Sequence, residues 1–325
     1  MDNWLKQLRF DPLFSLLNTT NEALRYFARR DLCGESPAAI EDVWHLPVVE
    51  RLLNRQRADG AWKYRGGKAR VRSAEDYHQL ETFRNVGLLV EKYGLDQRHP
   101  ALQKAADYLF SRQTPEADFR GIYGSQYTPN YSAAIIELLI KAGYADDARI
   151  ERGFRWLLSI RQRDGGWTIP LRTVGRKFDP TTLNAPPIQP DPSKPFSHLV
   201  TGVVLRAFAA HPVYDAASEA RTAGNLLRAR FFQPDKYVDR RAASFWTAFS
   251  YPFWFTDLLS ALDSLSLLGF SAADAPIAKA LDWFVVRQQN DGVWRLPLLR
   301  SGKDKDGALW VSLAICRVFQ RFFGG

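Results

Sequence analysis

The chain has 325 residues, 46% hydrophobic and 13% aromatic, and a formal net charge of +9. That length and apolar content suit a sizeable folded core, and two cysteines exclude a disulfide framework or a CxxC-type zinc site. No run reaches the roughly 18 apolar residues of a spanning helix, and residues 1–6 lack the pattern of a secretory leader. A reducing cytoplasm is therefore the expected location. The basic balance suits an anionic partner such as a phosphorylated small molecule or an acidic membrane surface. No nucleic-acid partner is expected, because no recognised motif accompanies the charge.

In chain order, residues 3–8 place Trp4, Leu5 and Leu8 on one side and predict an amphipathic helix, either packed or resting peripherally on a membrane. Residues 21–32 predict a buried helix. Residues 48–55 predict an amphipathic helix that runs into Gln56 and the turn Asp59-Gly60-Ala61-Trp62. An apolar helix over 82–93 stops at Gly94, and an amphipathic one over 100–112 runs into Gln113 and Asp118-Phe119. The alternation continues with an apolar helix over 131–142, stopped by Gly143, and an amphipathic one over 150–161. Gln162 and Asp164-Gly165-Gly166-Trp167 follow.

From 170 to 196 seven prolines break the rhythm, which predicts an ordered loop over one rim or a lid. An apolar helix over 199–209 then precedes an amphipathic one over 216–230, with a worn turn at Gln233 and Asp235-Lys236-Tyr237. The last pair is apolar over 253–268, stopped by Gly269, and amphipathic over 276–288. Gln288 and Asp291-Gly292-Val293-Trp294 lead into a final apolar helix over 308–319.

Apart from the proline-rich stretch, the glutamines recur about every 50–57 residues, the mark of stacked or ringed supersecondary units. Helices apolar on all sides must be buried, and amphipathic ones face water on one side. Six inner helices within six outer ones give an all-α (α/α)6 toroid, a single domain over 1–325. Each glutamine is expected to donate to a carbonyl ending one helix and accept from an amide opening the next, with the aromatic ring over the junction.

The pattern of an aromatic or Leu, then Gln, then Asp-Gly-x-Trp resembles the QW repeat of squalene and oxidosqualene cyclases and of protein prenyltransferase β subunits. It is clearest at Gln56–Trp62, Gln162–Trp167 and Gln288–Trp294, and the resemblance spans about 52 to 294. It implies an α/α barrel around an aromatic pocket for isoprenoid chains. The Asp-x-Asp-Asp motif of protonating cyclases has no full match; Asp304-Lys305-Asp306-Gly307 keeps two acids, where an inner helix begins. The zinc contexts of the prenyltransferases and a DDxxD motif are missing, and Asp146-Asp147 falls in a turn.

Loops after the glutamine turns carry Lys63, Arg65, Lys68, Arg70 and Arg72, then Arg172, Arg176 and Lys177, then Arg295, Arg300, Lys303 and Lys305. In a toroid they share a rim with the positive ends of the inner helices, which suits a diphosphate, although polar loops carry such charges anyway. Protonating an alkene needs a carboxylic acid kept neutral by apolar surroundings and an aromatic lining for cationic intermediates. The catalytic candidates are Asp306, Asp304, Asp257, Asp76 and His78. Asp257 is flanked by Phe253, Trp254 and Phe255, which predicts a raised pKa. For each acid, helix capping or ion pairing is the ordinary alternative.

Substrate-binding candidates are Glu81, Tyr127, Tyr131, His198, Tyr251, Trp254, Arg70 and Arg72, and the aromatic run 245–255 is expected to line the pocket. No cofactor is expected; zinc or magnesium stays open, because Asp76, His78 and Glu81, or His198 and Cys316, could converge. The favoured reading is a terpene-cyclase-like or prenyltransferase-like protein that takes an apolar isoprenoid or a prenyl diphosphate. The alternative is a non-catalytic toroid binding a lipid or a partner protein. A carbohydrate-active α/α barrel using Asp76 and Glu81 ranks below both, since such barrels do not carry the glutamine–tryptophan turn.

Overall fold

A computed structural model describes residues 3–66, 73–299 and 304–324. Twelve helices set the architecture: α1 (Leu13–Leu17), α2 (Glu22–Leu32), α3 (Pro47–Leu53), α4 (Ala74–Tyr93), α5 (Pro100–Ser111), α6 (Pro129–Leu139), α7 (Ala148–Ser159), α8 (His198–Ala210), α9 (Ser218–Arg228), α10 (Leu258–Leu267), α11 (Ala275–Arg287) and α12 (Gly307–Phe323). The described residues form only isolated β-bridges besides helices and turns. Each even-numbered helix touches the next, and α12 returns to α2, so the inner ring is shut. The odd-numbered helices pack outside: α1 on α2, α3 and α5 on α4, α7 on α6, α9 on α8 and α10, and α11 on α10.

Sequence explains which ring each helix joins. Every residue of α8 from His198 to Ala209 is buried, whereas α7 buries only Ile150, Gly153, Phe154, Trp156 and Leu157, one stripe at helical spacing. No described helix is long and apolar enough to cross a membrane.

The glutamine turns fasten neighbouring units. Gln56 Nε2 donates to Gly60 O in its own turn (3.0 Å) and to Ala101 O at the start of α5 (2.7 Å). Gln113 Nε2 does the same to Ala117 O (3.0 Å) and Arg149 O (2.9 Å), and Gln162 Nε2 reaches Asp191 O (2.7 Å) and Lys194 O (2.8 Å). Gln288 closes the circle. Its Nε2 donates to Gly292 O (2.8 Å) and Phe10 O (2.7 Å), and its Oε1 accepts from the amides of Arg9 and Phe10 (both 3.0 Å). The expected carbonyl-to-amide bridge is thus found at Gln288, while the other three work through two donations to carbonyls.

The turn aromatics add a second fastening. Trp62, Trp167 and Trp294 each donate the indole N–H to the carbonyl ten residues back, on Leu52, Leu157 and Phe284 (2.9, 2.7 and 2.7 Å). Their backbone amides donate forward to a hydroxyl of the next inner helix: Thr82, Thr201 and Ser312, all at 2.9 Å. Phe119 makes the same bond to Ser132 at 3.0 Å. Turn glycine is required at Gly292, where φ is +81° and a Cβ would stand 2.2 Å from Asp11 O.

Three sequence expectations change, and one gains detail. Residues 3–8 hold only a 3-10 turn, Leu5–Gln7, with Trp4 fully buried; α1 takes the outer place beside α2. Residues 253–257 are not helical, because the Asp257 carboxylate accepts from Ser260 N and the Ser260 hydroxyl from Asp257 N, a capping box that starts α10 at Leu258. The worn turn does not fasten neighbours. Gln233 Nε2 donates only to Ala229 O, Trp246 supplies the indole that reaches Gln233 O (2.9 Å), and Asp235 accepts from Ser197 Oγ and Leu199 N at the start of α8. The proline-rich stretch is ordered, with short helices Pro170–Thr173 and Pro180–Asn184, and Gln126 binds Thr182 O and the Ile188 amide.

The difference between Gln288 and Gln233 is testable. Gln288→Ala leaves two amides and two carbonyls without partners and should lower unfolding free energy by about 2–3 kcal/mol. Gln233→Ala should change it by less than about 0.5 kcal/mol. Urea unfolding of both variants checks this, and equal losses would contradict the closure.

Candidate functional site

Inside the ring lies a cavity of about 500 Å³, walled by α4, α6, Arg206 of α8, the start of α12 and the segment 249–254. That segment crosses the middle because its ends are tied. Phe249 N donates to Pro297 O (2.9 Å), and Leu299 N donates to Phe249 O (2.7 Å). Trp254 packs on Phe83 with ring centres 5.1 Å apart, and the Arg84 guanidinium lies 5.1 Å over the Trp254 ring. Tyr251 stacks on Trp310 at 5.7 Å and 9°. Its hydroxyl accepts from Arg317 Nη1 (2.8 Å) and donates to Glu91 O (3.3 Å). Burial pushes the phenol up to about 12, so it keeps its proton.

Charge enters this apolar centre only in pairs. Glu137 and Arg206, 3% and 4% exposed, meet at 2.8 Å. Lys141 Nζ stands 2.8 Å from Glu137 and 2.6 Å from Glu91. Burial alone would raise the Glu137 pKa; Arg206 and Lys141 outweigh it and hold the carboxyl below its ordinary value, ionised. Lys92 Nζ pairs with Asp304 at 2.5 Å and lies 5.3 Å over Trp310; burial nevertheless pulls its pKa down. Each described carboxylate that lines the cavity (Glu91, Glu137 and Asp304) therefore has a cationic partner.

Of the residues singled out from sequence, Asp304, Tyr251 and Trp254 line this cavity. Asp257 does not line it. It is fully buried at the start of α10, where burial pushes its carboxyl up to about 7 against the hydrogen bonds of Ser260, and its Oδ2 has no partner among the described residues. Asp306 accepts from Asn21 Nδ2 at 2.7 Å and ties the starts of α2 and α12. Asp76 pairs with Arg112 at 3.2 Å, and His78 sits 3.4 Å from Arg57 and 3.6 Å from Glu75. Glu81 faces Arg84 at 3.4 Å. Asp76, His78 and Glu81 thus have separate partners.

Tyr127 donates to Glu116 Oε2 (2.6 Å) beneath Arg120, and Tyr131 meets Tyr123 and Phe83 edge-on. His198 stacks on Trp246 at 4.6 Å beside Asp235, and burial lowers its pKa to about 4, leaving it neutral. Arg70 and Arg72 lie outside the described residues, as do Lys68, Arg300 and Lys303. On the rim, Arg172 is neutralised by Asp239 and Arg295 by Asp291.

Sequence reading passed over Glu91, Lys92, Glu137, Lys141 and Arg206. Their signal was present: single charges of both signs inside stretches otherwise too apolar to face water, which requires them to pair with one another.

Residues 76–175 match the squalene–hopene cyclase C-terminal domain. The squalene–hopene cyclase of Zymomonas mobilis subsp. mobilis is 28% identical over 79 residues, which are 24% of this chain and 12% of that protein. That stretch of the chain is thereby similar to squalene–hopene cyclases. The matched stretch contains all but the first two residues of α4 and the whole of α6, two walls of the cavity. Among solved structures, the type II terpene cyclase MstE from Scytonema aligns over 86% of this chain and 97% of its own, with 13% identity and a TM-score of 0.37. A protein from Actinoplanes covers 87% and 99% at 14% identity and a TM-score of 0.33. A polysaccharide lyase covers 87% of both chains at 14% identity and 0.44. None of these three is similar enough to carry a functional argument.

The Asp257 carboxyl makes a pH prediction. It holds its proton to about pH 7 in the folded state, whereas its ordinary value is 3.8. Between these values the folded state binds more protons than the unfolded one, so this group's contribution to stability falls as pH rises through that window. Asp257→Asn keeps the cap and removes the titration. Relative to the parent, the variant should gain stability from pH 4 to pH 7 in denaturant unfolding; a constant difference would show that Asp257 is ionised in the folded protein.

Proposed function

We propose that the central cavity binds the apolar chain of an isoprenoid, in a protein of terpene-cyclase-like architecture. The observation that carries this reading is the aromatic-walled void formed by Phe83, Phe249, Tyr251, Phe253 and Trp254. Its volume falls within the range of about 300–1,000 Å³ usual for small-molecule sites. The relation of residues 76–175 to squalene–hopene cyclases supports the same ligand class. Uptake from a membrane surface by a protein working in the cytoplasm fits so apolar a ligand.

The electrostatics favour binding over cyclisation started by protonation. Such a start requires a neutral carboxylic acid pointing into the void. The carboxylates that line it are paired with Lys141, Arg206 and Lys92, and Asp257, the acid that retains a proton, is not part of the lining. A non-catalytic isoprenoid-binding toroid is accordingly the reading preferred here over a proton-initiated cyclase.

Tryptophan quenching with a panel of prenyl diphosphates, prenyl alcohols and squalene, together with mass spectrometry of co-purified lipid, tests the proposal. Trp254→Ala should lose roughly tenfold in affinity through lost contact area while the helical signal is kept. Absence of any bound isoprenoid across panel and lipid extract would overturn the reading.

A further inference from the structure

A second cavity, of about 610 Å³, adjoins the first, and the two share Glu91, Tyr251 and Phe253. Tyr251 and Phe253 meet edge-to-face at 5.5 Å and form the septum between them. The second cavity is built from the C-terminal halves of α2, α4, α10 and α12, and its wall is largely polar: Asp31, Lys141, Asp263, Arg317, Gln320 and Arg321. A mainly aromatic chamber therefore shares a tyrosine wall with a mainly polar one.

The charges of the polar chamber are already matched. Arg317 and Arg30 both pair with Asp31 at 2.5 Å, Lys141 pairs with Glu91 at 2.6 Å, Arg321 with Asp263, and Asp96 with Arg98 at 2.7 Å. An anionic head placed there would face these carboxylates and the negative ends of four inner helices. A cationic head would have to compete with the guanidinium and ammonium groups for the same carboxylates. Gln320 differs from them: its side-chain amide makes no hydrogen bond among the described residues, so it offers a neutral donor and acceptor. The Tyr251 hydroxyl adds a donor whose present bond, 3.3 Å to Glu91 O, is long.

Resting on the isoprenoid reading above, we propose that the ligand is an amphiphile with an uncharged hydrogen-bonding head. Its apolar tail lies in the aromatic cavity, and its hydroxyl or carbonyl head passes Tyr251 to meet Gln320. A diphosphate is disfavoured at this end of the ring.

Dissociation constants for farnesol, farnesyl diphosphate and farnesene, which share a tail, test this on the full chain. Farnesol should bind about tenfold more tightly than the other two, the worth of one or two added hydrogen bonds. Gln320→Leu should abolish that preference and leave farnesene binding unchanged. Gln320→Glu, which keeps the size, should weaken farnesol binding and provides the readout if the leucine variant does not fold. Tightest binding by the diphosphate, equal binding by all three, or a preference unaffected by both variants would overturn the amphiphile proposal and leave the isoprenoid reading standing. Failure of all three to bind would overturn both.

Discussion

The contact between Gln288 and the backbone of Arg9 and Phe10 turns a row of helix pairs into a ring. Stacked repeats normally need polar end caps, because their terminal units would otherwise expose an apolar face. Here the two terminal inner helices, α2 and α12, cover one another. The glutamine amide that fastens α3 to α5 and α5 to α7 finds, at the last turn, the backbone of Phe10. Closure replaces capping, and the buried faces of α2 and α12 depend on it.

A stretch of chain crosses the centre of the six-helix ring and lines the void there. The segment 249–254 brings four aromatic rings inward, held at one end by backbone bonds to 297–299 and at the other by the capping box of Asp257. Burying ions in such surroundings is costly unless partners are supplied. Arg206, Glu137, Lys141 and Glu91 form a connected chain of pairs, and Lys92 with Asp304 forms another. These pairs fix the faces that α4, α6 and α8 turn to one another while leaving a void between the rings.

Much of this was legible in the residues. Helix class followed from whether apolar positions formed a stripe, as in α7, or covered all sides, as in α8. The stops at Gly94, Gly143 and Gly269 are residues with φ of +63°, +99° and +68°. The capping hydroxyls Thr82, Ser132, Thr201 and Ser312 were not legible, because they lie 20, 13, 34 and 18 residues after their turns and share no fixed offset. The candidate site residues cluster near helix starts, at the positive rim. The cavity instead draws on the middle and end of α4 and α6, so only Asp304, Tyr251 and Trp254 among the candidates line it. Asp306 and Asp257, attractive for their motif and their neighbours, are occupied in tying helix starts.

Amide hydrogen exchange on the intact protein tests ring closure most directly. If Gln288 holds the Arg9 and Phe10 amides in nearly all molecules, both should exchange as slowly as amides in the buried helices α6 and α8. Exchange of these two amides at the rate of an unfolded peptide, with α6 and α8 still protected, would mean an open array and would remove the central cavity on which the ligand reading depends.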